Sequence, residues 1–174
     1  QDVAQYMKSL YHAVNAVAEL SGPPLQERRL MLDFASRAET AQRPGMNAAL
    51  LGLMGASGLD PSQIGAWVPE WKLAFEAATE SNRVDGRIHP ARLNYYEKGI
   101  QAILAGENPQ AALWPLLQTW TFAVDVLPEH SVNAWRSACT QLGLTATSLE
   151  ERVEGLDHFL DEVEALLDEL AREH

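Results

Sequence analysis

From Leu149 to Leu170 the chain sets an apolar residue at alternating steps of four and three: Leu149, Val153, Leu156, Leu160, Val163, Leu167 and Leu170. On an α-helix such steps hold the side chains on one stripe, whereas a strand, with its period of two, would scatter them over both faces. The seam lasts about three heptads, the length at which pairing with a second helix becomes worth considering. Ser148 followed three residues later by Glu151 has the form of a capping box. The spacing therefore predicts a long terminal helix opening near Ser148.

Helical periods fill most of the remaining chain. Val3, Met7, Leu10, Val14 and Val17 predict a first helix over about 2–20, ended by Ser21-Gly22-Pro23-Pro24. A second carries Leu25, Leu30, Phe34, Arg37 and Ala38 and stops before Pro44, and the glycine-studded run 48–54 reads as a short buried helix. Asp60-Pro61 pairs a capping carboxylate with proline at the first helical position. Pro69 is expected to divide the segment beyond that cap into helices near 61–67 and 69–82. Pro90 opens a helix that Gly106 closes. Asn108-Pro109 starts another that reaches about Leu127 with a kink or break at Pro115, and Gly143 caps a short one over 131–142.

Strand signals are nearly missing: Asp85-Gly86 is the one hairpin-type dipeptide, and its flanks are too polar for core strands. With 174 residues, folding can remove roughly 70% of the extended chain's surface from water. The expected fold is all-α, a compact bundle of about seven to eight helices in a single domain, 1–174, with a long acidic heptad-patterned C-terminal helix.

Charge narrows the partners. With 24 acidic against 13 basic residues the net charge is −11, the wrong balance for neutralising a phosphate backbone, so nucleic acid is not the expected partner. No apolar run is long enough to span a bilayer, and no basic segment followed by an apolar stretch suggests a secretory leader. The expected compartment is the cytoplasm, with no membrane association. Cys139 is the only cysteine, so neither an intrachain disulfide nor a thiolate metal cage can form, and it reads as a small buried hydrophobe.

Catalytic motifs fail one by one. The sequence holds no nucleophile elbow, phosphate loop or dinucleotide-binding glycine pattern. His12, His89, His130, His158 and His174 are scattered, and the paired Glu-x-x-His signature of di-iron bundles is missing. Glu150-Glu151-Arg152-Val153-Glu154 resembles the acidic motif of all-α nucleotide pyrophosphohydrolases of the MazG type, which implies a second acidic motif on a later helix. The sequence holds no such second motif. No catalytic residue, metal site or cofactor is expected, and no family is assigned.

Two surfaces remain. The terminal helix carries ten acidic residues against Arg152 and Arg172; Glu150, Glu154, Asp157 and Asp161 share a stripe, and with Asp168 they are the residues expected to dock a basic partner. Arg83, Arg87, His89 and Arg92 gather about a predicted helix N-terminus with Tyr96 one turn on, a place for an anionic ligand. The first reading is a non-enzymatic helical interaction or assembly module, acting through a protein partner or by self-association. Its homodimer would form through the first or last helix. The alternative is an anionic small-molecule binder or enzyme with a site between helices near 83–96.

Overall fold

The computed structural model describes residues 2–173; the side chains of Thr147 and Glu173, and the whole of His174, lie outside that description. Among the described residues there are eight α-helices and no strand, with short 3₁₀ turns between some of them. They are α1 (Asp2–Ala18), α2 (Leu30–Thr40), α3 (Gly45–Leu53), α4 (Pro61–Ala78), α5 (Pro90–Leu104), α6 (Leu113–Val124), α7 (Asn133–Gln141) and α8 (Ala146–Glu173). Among the described residues no helix is long and apolar enough to cross a membrane.

α6 is apolar nearly all round, which forces burial on every side. Leu113, Trp114, Leu116, Leu117 and Trp120 are all buried, and the helix packs against α1, α4, α5 and α7. α1 turns Leu10, Val14 and Val17 into the same core and lies between α2, α6 and α8. Buried Asn15 joins this layer to the chain beyond it. Its side-chain oxygen accepts the Leu25 N–H at 2.6 Å, while its amide donates to Tyr11 O at 3.1 Å. α8 rests on α1 and α3, at the margin of the bundle.

Three helix ends share one device. After α2, α3 and α7 a residue in the left-handed region closes the helix: Gln42 (φ 57°), Gly55 (φ 68°) and Gly143 (φ 68°). In each case the next N–H reaches back to a carbonyl five residues earlier at 2.8 Å, from Arg43 to Ala38, from Ala56 to Leu51 and from Leu144 to Cys139. Glycine at 55 is required for a second reason. A Cβ there would run into the carbonyl oxygen of Leu142, so the ends of α3 and α7 meet backbone to backbone.

Three sequence expectations are corrected. Pro69 does not split its segment: α4 is one helix with the proline inside it. Pro69 is exposed, so water can reach the Gly65 carbonyl it leaves unpaired, while Ile64, Val68, Trp71 and Phe75 hold both halves to the core. The break expected at Pro115 falls earlier. Pro109–Ala112 forms a 3₁₀ turn and α6 starts at Leu113, which puts Pro115 in a first turn where its missing N–H is no loss. Finally, Ser148 is not the cap of α8. The helix begins two residues earlier at Ala146, and the Leu149 N–H already donates to Thr145 O at 3.3 Å.

Candidate partner interface

The apolar seam of α8 serves two faces. Leu156 and Val163 of the predicted stripe are buried, with Leu149 and Leu170 packed half-buried against the core. The other residues turned inward are Phe159 and Leu166, which belong to a neighbouring row. Phe159 meets Phe34 of α2 with ring centroids 6.4 Å apart. Gly155 lets α3 come close, since a Cβ there would stand 3.1 Å from Leu53 Cδ2. Arg152 passes beneath the helix and donates to Leu142 O at 3.2 Å, on the C-terminal end of α7.

The helix is therefore rolled away from the symmetrical position, and the remaining row of the seam is left outside. Val153, Leu160 and Leu167 are 43%, 37% and 41% exposed. They stand seven residues apart, two turns of helix, and so form a nearly straight apolar line along the outer face. Glu150, Glu154, Asp157, Asp161 and Asp168 are all exposed, and by helical spacing they border that line on its solvent side. Near the start of the line a shallow hollow of about 580 Å³ opens between Asp2 of α1 and Leu149, Glu150 and Val153 of α8. One acid of the helix is engaged elsewhere: Glu169 pairs with Arg43.

The arginine loop is arranged differently. Arg87 is held by Asp85, which accepts from Nε and Nη2 at 2.8 Å each, and by Glu27, which accepts from Nη1 at 2.6 Å. Its guanidinium also lies 4.1 Å from the centroid of the Phe122 ring. Hydrogen bonds from Arg87 hold the Asp85 carboxyl below the usual carboxylate range, and the same bonds raise Arg87 further above its own value. His89 caps α5: its Nδ1 accepts the Ala91 N–H at 3.2 Å, occupying one of the donors an anion would use.

Tyr96 is half-buried beside Arg92 and packs on Phe75, with ring centroids 6.1 Å apart. Burial lifts its phenol above the ordinary value while Arg92 pulls the other way. Arg83 borders a separate hollow with Asp85 and Asp125. Arg87, Arg92 and Tyr96 thus lie close enough to influence one another, together with Glu27 and Asp85, while His89 is occupied as a cap and Arg83 borders the other hollow. Arg87 serves as a hub joining the chain before α2, the loop before α5, and α6.

Cys139 is buried, and desolvation pushes its thiol up to about 12, which leaves it protonated and unreactive. No three acidic, histidine or cysteine side chains among the described residues are grouped to hold a metal ion. Comparison with known proteins finds no matching family model, no matching curated protein and no matching solved structure.

Proposed function

We propose that this protein is a non-enzymatic helical interaction module of the cytoplasm, working through the outer face of α8, and that its partner presents a basic amphipathic helix. The observation that carries the reading is the exposed line Val153–Leu160–Leu167 bordered by Glu150, Glu154, Asp157, Asp161 and Asp168. Apolar groups spaced two turns apart fit a second helix laid alongside, and the acids beside them ask for lysine or arginine at the partner's flanks. A second copy of the chain fits less well, because α8 against α8 would bring two acidic rows together.

Magnitudes separate the contributions. A fully buried leucine or valine gains about 1.5–3 kcal/mol over an exposed one, and these three have only part of their surface left to cover. The line is then worth roughly 3 kcal/mol in all, too little for a specific complex after the cost of association. Charge pairing must supply the remainder, so binding should weaken steeply with salt.

The test uses the full chain and a synthetic heptad-patterned leucine–lysine helical peptide as probe, followed by titration calorimetry at two salt concentrations. Saturable one-to-one binding is expected, weakened about tenfold or more by the double substitution L160Q/L167Q. D157K/D161K should remove most of the salt dependence. Absence of binding, or binding indifferent to both double variants, would overturn the reading. A dimer in native mass spectrometry that L160Q/L167Q dissolves would replace it with self-association.

A further inference from the structure

A groove of about 400 Å³ lies between α1 and α6, lined by no residue of α8. Its volume is within the range of small-molecule sites. Ala4, Met7 and Tyr11 from α1 and Phe122 from α6 give it apolar walls, and Met7 is almost wholly covered. One margin is shut by the Arg87 hub. Glu27, the one acid in the lining, is held there by Arg87 at 2.6 Å, and Arg87 in turn is balanced by Asp85 and stacked on Phe122. With one guanidinium against two carboxylates, that margin is closed to an anion and leaves an anionic head group to the other side of the groove.

The opposite holds for Lys8 and His12. They stand four residues apart on one face of α1, and both are exposed while lining the groove. Of the charged side chains in the lining, Glu27 and Arg87 pair with each other, whereas Lys8 has no ion-pair partner among the described residues. Gln118 and Thr121 line the groove too, but the Thr121 hydroxyl is committed, donating to Leu117 O at 2.7 Å and accepting from Trp135 Nε1 at 3.1 Å.

We propose that this groove binds an amphipathic monoanion, a medium-chain carboxylate whose tail lies over Ala4, Tyr11 and Phe122 and whose head group pairs with Lys8. The tail repays its transfer from water by covering the partly exposed aromatic surface of Tyr11 and Phe122. The carboxylate gains a charge-assisted hydrogen bond from the Lys8 ammonium. His12 stands one turn further along the same face of α1, at the groove's edge. The proposal is independent of the α8 surface and shares no residue with it.

The experiment titrates the full chain with decanoate and, separately, with the uncharged decanamide, following backbone amide shifts by NMR. Decanoate is expected to bind saturably, with shifts centred on α1 and α6, and at least tenfold more tightly than decanamide. K8Q, a change at an exposed position, should weaken decanoate about tenfold and leave decanamide within a factor of two. A4L, which narrows the trough, should weaken both. Should A4L fail to fold, K8Q alone still decides. Equal affinity for the two ligands, no effect of K8Q, or shifts centred on Val153, Leu160 and Leu167 would each overturn the proposal. The last result would mean the chains merely coat the exposed line of α8.

Discussion

Two buried tryptophans with different fates show how much one polar atom decides. Trp71 is fully buried and its Nε1 donates to Thr119 Oγ1 at 2.9 Å, and the threonine hydroxyl passes its own proton to Pro115 O at 2.6 Å. Trp114 is equally buried, but its Nε1 finds no acceptor among the described residues. A buried donor without a partner costs about 1–3 kcal/mol, whereas a made hydrogen bond returns about 1 kcal/mol. Replacing either indole by phenyl leaves a cavity of similar size, so the packing losses nearly cancel in the comparison. W114F is therefore expected to be more stable than W71F by about 2 kcal/mol in urea unfolding at matched m-values. Equal midpoints would mean that Trp114 is satisfied by an internal water. At this scale the sequence was partly legible. Helical spacing marks Trp71 and Trp120 as inward, but nothing local says that Trp71 will meet a threonine 48 residues away. The burial of Cys139 was legible, since its surroundings offer nothing to activate a thiol. The role of Asn15 was not, because its partner Leu25 lies beyond a turn whose path depends on tertiary packing.

Elements were legible wherever a local rule had no tertiary rival. Asp60 caps α4 as its Asp-Pro pair implies, accepting the Ser62 N–H at 2.8 Å, and Gly143 closes α7. Local rules failed where burial opposed them. Pro69 within α4 is the clearest instance: interior proline costs about 3 kcal/mol relative to alanine, yet the buried residues on both sides keep the helix whole. P69A should then stabilise the protein by about 2 kcal/mol, the full difference being reduced because alanine leaves the unfolded chain freer. Thermal unfolding monitored by circular dichroism would read this as a higher midpoint, and an unchanged or lower one would show that the proline sits without strain. The α8 stripe was legible as a stripe but not in its roll. Its period placed the correct central residues, Leu156 and Val163, but a wide apolar helix can roll toward either neighbouring row. Gly155 against Leu53, Phe159 against Phe34 and Arg152 at the end of α7 determine the roll, and those contacts come from distant segments. The anionic-ligand residues Arg83, Arg87, His89, Arg92 and Tyr96 are close in sequence but differ in duty, since Arg87 is claimed by Glu27 from 60 residues away.

Over the whole molecule, the excess of acid sets two electrostatic effects against each other. Added salt screens repulsion among the carboxylates of α8, where Asp168 and Glu169 near the C-terminal end also oppose the helix dipole. The same salt weakens the ion pairs, of which Arg29–Asp33 and Arg136–Glu129 are exposed. Exposed pairs contribute about 0–1 kcal/mol each, and only a handful exist among the described residues. The repulsion arises from a net charge of −11 with most of its excess on one helix. Repulsion should prevail, so raising sodium chloride from low to near-molar concentration is expected to raise the thermal midpoint by a few degrees, on the order of 1 kcal/mol for a domain of this size. Scanning calorimetry of the full chain checks the sign, and D157N/E164Q, which removes two of the charges, should shrink the salt effect. A midpoint that falls with salt would give the larger share to ion pairs such as the Arg87 hub. It would also make the acidic face less costly to the folded chain than docking of a basic helix requires, and so reduce what such a helix could gain by covering it.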